Sequence, residues 1–183
     1  MTEERLVPKK SNTKDLVKSI ARYNLALPYC SGKVIDIGCG VGYGTDLISQ
    51  FASESFGIDL AYEAIEYAKA NYKRDNLLFT RTDVYALSNM ALSADAVVCF
   101  DTIPYLVDLP KFLKIVNKAL VENGYFIYSL PITEVHTIEY LSGLTTYKPI
   151  IQSVQVGVNF YLHDEVQTSD KSWFVGVYQK CSI

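Results

Sequence analysis

The residues best suited to chemistry are one acid and four alternate glycines that accompany a short apolar run. The run spans residues 34–37 and contains Asp36, and the glycines that follow it are Gly38, Gly40, Gly42 and Gly44. Glycine lets a ligand approach the backbone closely and tolerates left-handed turns, and a helix that starts after such a loop presents polar amides. The pattern predicts a ligand-binding loop between a buried strand and a helix.

Two nucleotide-binding patterns that occur at the same place in similar folds are excluded. The dinucleotide fingerprint GxGxxG needs a third glycine three positions after the second, and in the three registers that position holds Tyr43, Thr45 or Leu47. The Walker pattern needs a Gly-Lys-Ser/Thr that does not follow here. The ligand of this loop is therefore predicted not to be a dinucleotide or a nucleoside triphosphate.

Three further acids stand at or just after the ends of predicted strands: Asp59, Asp83 and Asp101. In open α/β sheets the carboxyl ends of parallel strands form the ligand-binding edge. Asp59 lies 23 positions after Asp36 and is placed to accept both hydroxyls of a ribose, or simply to cap the helix that follows at Ala61.

Short β runs alternate with helical runs after Gly32, and this order predicts a parallel sheet with helical crossovers. Strands are predicted at 34–37, 55–59, 77–80, 96–100 and 125–130. Apolar spacing predicts helices around Leu47, Ile65 and Phe112, and Asn123-Gly124 is expected to close the last of them.

The last third changes pattern, because apolar and polar residues alternate from Val154 to Leu162 and predict one half-buried strand. A polar turn then leads to a second strand at 173–178, so the two are expected to form an antiparallel pair at one end of the sheet. At the other terminus, apolar spacing from Thr13 to Leu27 predicts an amphipathic helix. We divide the chain into a helical leader or lid, residues 1–30, and one domain, residues 31–183.

Composition excludes several classes of protein. The 183 residues are 49% hydrophobic and 20% charged with a net charge of −3, which is typical of one globular domain and argues against nucleic acid as the main partner. The first 24 residues nevertheless carry a local charge of +3. The four cysteines lack a CxxC pair, and no run reaches the roughly 18 apolar residues of a membrane span. We expect no metal site, no membrane association and a cytoplasmic location.

From about residue 33 to 131 the chain resembles class I S-adenosylmethionine-dependent methyltransferases, through the DxGxGxG loop from Asp36 to Gly42. The resemblance implies a Rossmann-like fold with a mostly parallel seven-stranded sheet, a terminal antiparallel strand and helices on both faces. It implies that S-adenosylmethionine is the cofactor and S-adenosylhomocysteine the product. The glycines would lie under the methionyl part and Asp36 would help to hold its ammonium group.

The same resemblance assigns the remaining cofactor-binding residues. Asp83 would accept from the adenine amino group, although a turn aspartate is the plain alternative, and Phe100 would offer its backbone carbonyl. The set is completed by Cys39, Leu60 and Val84, which adjoin these positions.

The fourth strand departs from the family. Many relatives have Glu-x-x-Glu-His after this strand, where this chain has Asp101, Pro104 and Tyr105. The proton-transfer residues of those relatives are therefore not carried over. The (Asp/Asn)-Pro-Pro-Tyr signature of enzymes that methylate amide or nucleobase nitrogen fits poorly too, since this segment has one proline and an extra residue.

Three short runs are similar to a methyltransferase subgroup associated with glycan synthesis: Glu4-Arg5-Leu6-Val7-Pro8, Arg22-Tyr23-Asn24-Leu25-Ala26 and Gly42-Tyr43-Gly44-Thr45. In that subgroup an arginine-tyrosine helix lies over the cofactor. The resemblance implies either a contact between Tyr23 and the methionyl carboxylate or packing alone.

These observations predict a methyltransferase that acts on a hydroxyl of a sugar, a nucleotide sugar or another small metabolite. A hydroxyl acceptor benefits from a base, and the candidates are His136, Asp101 and Glu134, with His163 a weaker one. Two alternatives remain open: N-methylation of an amino sugar or small amine, and a catalytically inactive cofactor-binding partner. The sequence leaves the oligomeric state open and permits a dimer.

Overall fold

Helices and strands alternate through the chain, and the computed structural model describes them for residues 13–162 and 172–182. The described helices are α1 (Thr13–Ala26), α2 (Tyr43–Ser49), α3 (Tyr62–Asn71), α4 (Leu109–Ala119) and α5 (Val135–Ser142). Short 3₁₀ helices span Leu27–Tyr29, Val84–Asn89 and Ile103–Tyr105. The described strands are β1 (Lys33–Ile37), β2 (Glu54–Asp59), β3 (Leu77–Arg81), β4 (Ala94–Phe100), β5 (Leu120–Pro131), β6 (Tyr147–Val156), β7 (Asn159–Leu162) and β8 (Trp173–Lys180).

The strands form one sheet in the order β3-β2-β1-β4-β5-β8-β6-β7. Strands β1 to β5 are parallel, whereas β8 is antiparallel to β5, β6 to β8 and β7 to β6. The predicted α/β fold class is confirmed, with eight described strands where seven were predicted. The order reverses between β1 and β4, so the ends of these two strands flank the crevice in which α/β sheets bind ligands.

The additional strand arises from the segment that was predicted to be one strand. Positive φ at Gly157 (66°) makes a two-residue turn with Val158, after which β7 folds back so that Asn159 pairs with Val156. Two-residue hairpin turns require positive φ at their first central residue, which glycine adopts without strain. The single-strand prediction is therefore wrong, although the expected antiparallel pairing with β8 is present, through β6.

The burial of this segment also differs from the prediction. Val154 is buried, but the other apolar residues of the alternating pattern are at least partly exposed, and Gln155, expected on the outer face, is fully buried. The reason is tertiary, because Gln155 hydrogen-bonds the buried Arg22 of α1.

Helix α4 ends before the predicted closing turn at Asn123-Gly124. Its last residue is Ala119, and Leu120 already has extended backbone and pairs with Ala94 of β4. Asn123, with φ of 61°, takes the left-handed conformation inside β5 instead of closing the helix. Asn123-Gly124 thus lies in an irregular part of β5, between the pairing of Leu120 with Ala94 and that of Tyr125 with Ala96.

Each face of the sheet has its own apolar core. One core contains Phe112 and Val116 of α4 together with side chains of α5, and the other packs α1 and α2 on the sheet through Tyr23, Ala26 and Ile48. A smaller cluster holds α3. Helix α1 is thus built into the core of the domain rather than attached to its surface.

No described helix is both long and apolar enough to cross a membrane. The predicted residues 4–8 and His163 lie outside the described residues.

Candidate active site

The glycine loop between β1 and α2 leaves open space at one position only among its three left-handed glycines. Gly38, Gly40 and Gly42 have φ of 74°, 54° and 87°. A Cβ at Gly38 would lie 2.0 Å from Oγ1 of Thr102, and a Cβ at Gly42 would lie 2.7 Å from the Phe79 ring, but a Cβ at Gly40 would meet nothing within 4 Å. The loop is packed at its ends and open at Gly40.

The first amides of the loop are already used within the protein. The N–H groups of Gly38 and Cys39 donate to the carbonyl of Ile58 at 2.8 and 3.0 Å, and that of Gly40 donates to Oδ2 of Asp59 at 2.9 Å. These three residues therefore offer a ligand close approach to the backbone rather than free N–H donors, which agrees with the predicted role of the glycines.

Asp59 ends β2 directly beside this opening. Besides the amide of Gly40, it accepts the N–H of Ala61 through Oδ1 at 2.8 Å, so it braces both the glycine loop and the turn that precedes α3. Each carboxylate oxygen has a second lone pair, so these bonds leave capacity for ligand hydroxyls. The adjoining Leu60 is 64% exposed and offers an apolar surface at the same edge.

Asp36 is completely buried and serves as an anchor point for two helices. It accepts hydrogen bonds from the hydroxyl of Tyr23, 3.2 Å from Oδ2, and from Oγ1 of Thr45 at 2.6 Å. Burial raises the pKa of Asp36 to about 7, and the two hydroxyl donors only partly oppose this effect. Its contact with a ligand ammonium group stays a prediction.

Tyr23 fills the space above the start of α2. Its ring occupies the position of a side chain at Gly44, where a Cβ would lie 1.9 Å from Cζ, and it meets the ring of Phe100 edge-on with a centroid separation of 5.0 Å. The tyrosine is buried and bonded to Asp36. A contact of Tyr23 with a methionyl carboxylate also stays a prediction.

The other predicted cofactor contacts differ in accessibility. Asp83 is exposed and caps the 3₁₀ helix by accepting the N–H of Tyr85 at 2.8 Å, while Val84, Cys39 and Phe100 are buried. The carbonyl of Phe100 accepts a hydrogen bond from Thr102 Oγ1 at 3.0 Å.

Asp101 lies at the carboxyl end of β4 with a left-handed backbone, φ 54°. Its Oδ2 pairs with the guanidinium of Arg22, its Oδ1 accepts the hydroxyl of Ser129 at 2.9 Å, and 41% of its side chain is exposed. The next residue, Thr102, touches the loop at Gly38. Asp101 is therefore an oriented carboxylate close to the glycine loop.

The structure adds residues to the site that the sequence did not single out. Arg22 is buried by Gln155, which bonds its Nη1 at 3.0 Å, and by the ring of Trp173, 5.3 Å from the guanidinium carbon. For Arg22 the signal was its place in the arginine-tyrosine run. No sequence signal marked Gln155 or Trp173.

The other two candidate bases lie on or beside α5. His136 is fully exposed, and its Nδ1 is 3.6 Å from Oε2 of Glu139. Glu134 precedes the helix and accepts the hydroxyl of Thr137 at 3.4 Å. No hydrogen bond between described residues joins either to the Asp101 cluster, and their roles as bases stay predictions.

Fold and loop together define the class I methyltransferase architecture, with the glycine loop after β1 and acids at the ends of β2 and β4. A family model described as a methyltransferase domain matches residues 35–128. The chain belongs to this family, which confirms the resemblance to S-adenosylmethionine-dependent methyltransferases.

Curated relatives agree on this family. A probable S-adenosylmethionine-dependent methyltransferase of Mycolicibacterium smegmatis is 32% identical over 103 residues, 56% of this chain and 39% of the relative. The human mitochondrial ubiquinone biosynthesis O-methyltransferase is 27% identical over 152 residues, 79% of this chain and 40% of the relative. The chain spans about two fifths of the length of these relatives.

Solved structures share the fold. The N-methyltransferase NodS from Bradyrhizobium japonicum WM9, in complex with S-adenosyl-L-homocysteine, has a TM-score of 0.73 at 17% identity, covering 94% of this chain and 90% of NodS. A putative S-adenosylmethionine-dependent methyltransferase from Listeria monocytogenes has a TM-score of 0.70 at 14% identity, covering 90% of this chain and all of that one.

The loop residues fit S-adenosylmethionine. Gly40 is open where a side chain would otherwise stand, and Asp59 provides a half-buried carboxylate with spare acceptor capacity next to it. Leu60 supplies an exposed apolar surface suited to a flat base. The cofactor assignment thus agrees with the geometry as well as with the family.

Proposed function

We propose that this chain transfers a methyl group from S-adenosylmethionine to a hydroxyl of a sugar or another small metabolite. The observation that carries the proposal is the half-exposed carboxylate of Asp101, held at the same sheet edge as the glycine loop. A carboxylate there is able to accept the hydrogen bond of an incoming hydroxyl and to take its proton.

Bound S-adenosylmethionine would supply a methyl group already activated by a positively charged sulfur. The chain's own work is then to bind, align and remove one proton. In the proposal the loop from Gly38 to Gly42 and Asp59 hold the cofactor, with Asp59 accepting hydroxyl hydrogens. Asp101 orients the acceptor hydroxyl and holds its proton.

Among the three candidate bases, geometry favours Asp101 over His136 and Glu134. Asp101 follows β4 and adjoins the loop through Thr102, whereas His136 is fully exposed and its Nδ1 lies 3.6 Å from Oε2 of Glu139. A base has to come within hydrogen-bond reach of its proton, directly or through one water. We therefore assign proton removal to Asp101.

N-methylation is the second candidate, because a half-exposed carboxylate also suits an amine acceptor. The fold neighbour NodS is named as an N-methyltransferase, while the human relative is named as an O-methyltransferase. An amine that is neutral at working pH needs no base, so the two reactions differ in their dependence on Asp101.

The test uses the purified chain with S-adenosylmethionine carrying a labelled methyl group and a panel of nucleotide sugars, phenols, amino sugars and small amines. We expect label transfer to a hydroxyl compound and a fall in kcat of about 100-fold or more in Asp101→Asn, since general-base catalysis contributes roughly 10²- to 10⁴-fold. His136→Ala, the matched control, should stay within a few-fold of the parent.

Other outcomes separate the alternatives. Transfer only to amines, with Asp101→Asn within a few-fold of the parent, would replace O-methylation by N-methylation. Cofactor binding by calorimetry with no transfer to any member of the panel would favour the inactive binding partner.

A further inference from the structure

Arg22 is an arginine that the fold buries and holds from three distant segments. It is 3% exposed, pairs with Asp101 after β4, donates to Gln155 of β6 and lies over the ring of Trp173 of β8. Its Nε has no hydrogen-bond partner among the described residues. Burying a guanidinium costs several kcal/mol, and replacing a buried ion pair by apolar residues is often neutral or stabilising, so the pair is weak evidence for a role in stability.

Gln155 fixes the guanidinium of Arg22 because both ends of its side-chain amide are hydrogen-bonded. The side chain is fully buried, its Oε1 accepts from Arg22, and its Nε2 donates to the carbonyls of Lys18 at 2.8 Å and Gly157 at 3.0 Å. An amide held on both sides has little freedom to rotate. Gln155 of β6 thereby helps to fix the orientation of Arg22.

The carboxylate of Asp101 is held in a fixed orientation as well. One oxygen pairs with Arg22 and the other accepts from Ser129 of β5, so the carboxylate plane is fixed although 41% of the side chain is exposed. The exposed part remains able to accept one more hydrogen bond. This is the geometry required of a group that must meet an acceptor in a defined direction.

Tyr23, the residue after Arg22, contacts the cofactor side of the site. Consecutive helical residues project about 100° apart, and Tyr23 accordingly points to the loop side, where it bonds Asp36 and fills the space at Gly44. A second bond from Tyr43 to Ser19 at 2.7 Å fastens the same helix to α2. Helix α1 therefore contacts the residues that flank the glycine loop, Asp36 of β1 and Gly44 of α2, through Tyr23, and it contacts Asp101 through Arg22.

We propose that Arg22 is a positioning residue for Asp101, and that α1 couples this positioning to the cofactor loop through Tyr23. Binding at the loop then moves α1, and Arg22 moves the fixed carboxylate of Asp101 with it, so that its direction depends on whether the cofactor side is filled. The inference rests on the proposed function, since it assumes that the loop binds S-adenosylmethionine.

Trp173 makes the coupling measurable without any acceptor, because it is the only tryptophan of the chain and lies against Arg22. Its indole N–H gives one nuclear magnetic resonance signal.

The first experiment records this signal without ligand in Asp101→Asn, a substitution that removes the negative charge paired with Arg22. The matched control is Asp46→Asn, which weakens the exposed ion pair of Asp46 with Arg74. We expect the indole signal to shift in Asp101→Asn and to stay in place in Asp46→Asn.

The second experiment titrates S-adenosylhomocysteine into the parent, Tyr23→Phe and Arg22→Lys while following the same signal, with calorimetry in parallel. In the parent we expect a shift whose midpoint agrees within twofold with the calorimetric Kd. Tyr23→Phe keeps the ring but loses the bond to Asp36, and we expect its response at saturation to fall at least threefold. Arg22→Lys keeps the charge but not the planar fork, and should bind within about threefold of the parent with a similarly reduced response.

Each outcome decides a different point. If the parent binds S-adenosylhomocysteine in calorimetry but its indole signal does not shift, the coupling is overturned while the proposed function stays intact. A full response in both Tyr23→Phe and Arg22→Lys would overturn the roles of these residues. Absence of calorimetric binding in the folded parent would overturn the proposed function and this inference with it.

Discussion

The hydroxyl of Tyr23 lies 3.2 Å from Oδ2 of Asp36, and neither side chain has appreciable exposure to solvent. This bond joins α1 to the end of β1 beneath the glycine loop. Burial is the largest cause that raises the pKa of each group, and the negative charge of Asp36 raises that of Tyr23 further. The bond is therefore a neutral donor meeting an acid that ionises near physiological pH.

The stability of the chain should depend on pH through Asp36. In the unfolded chain this acid titrates near 3.8, whereas in the folded chain its pKa is about 7. Between these values the folded state holds a proton that the unfolded state has lost, so the free energy of unfolding falls as pH rises. Relative to Asp36→Asn, the parent should lose about 2 to 3 kcal/mol between pH 5 and pH 8 in urea unfolding. A constant difference would contradict the raised pKa.

A side chain at Gly40 should block the cofactor. Ala at this left-handed position costs roughly 1 to 2 kcal/mol of stability, and its Cβ would project into the open space of the loop. We expect Gly40→Ala to weaken S-adenosylhomocysteine binding at least 10-fold in calorimetry. Gly157→Ala is the matched control, because Gly157 also has positive φ and an open Cβ position. It should cost similar stability and bind within twofold of the parent, and equal affinity losses would refute a steric effect at Gly40.

Loss of the carboxylate of Asp59 should weaken cofactor binding. Asp59→Ala removes a charged acceptor for ligand hydroxyls and releases the amide of Gly40. The expected loss is roughly 1 to 3 kcal/mol, or about 5- to 150-fold in Kd for S-adenosylhomocysteine. Circular dichroism should show an intact fold, and an unchanged Kd would remove Asp59 from the site.

Gly44 should tolerate no larger residue, because the ring of Tyr23 occupies its side-chain position. Gly44→Ala forces this buried ring to move and should destabilise the chain by roughly 1 to 3 kcal/mol in thermal or urea unfolding. Gly143→Ala is the control, since its Cβ would meet no atom closer than 3.4 Å and should change stability by less than about 0.5 kcal/mol. Equal effects would mean that α1 does not pack as described.

The five parallel strands were predictable because their signals are local. Short runs of four or five residues predict β1 to β4 to within two residues at either end, and the glycines after Ile37 mark the loop whatever surrounds them. The same local signals misplaced the end of α4. Asn123 favours a left-handed turn, but only pairing with β4 decides that Leu120 is already strand.

The contacts that hold Asp101 on the acceptor side of the site depend on the tertiary structure. Arg22 and Gln155 are 133 positions apart and meet because β8 and β6 add to the sheet beyond β5. Periodicity assigned Gln155 to the solvent face, since it cannot show that a helix from the other end of the chain covers that face. The sequence by itself determined the order of the parallel strands and helices along the chain, the glycine loop and the acids at the strand ends, because these features depend on neighbouring residues. Only the tertiary structure determined which cation orients Asp101 and which helix joins it to the loop, because those contacts depend on strand order and packing across the whole sheet.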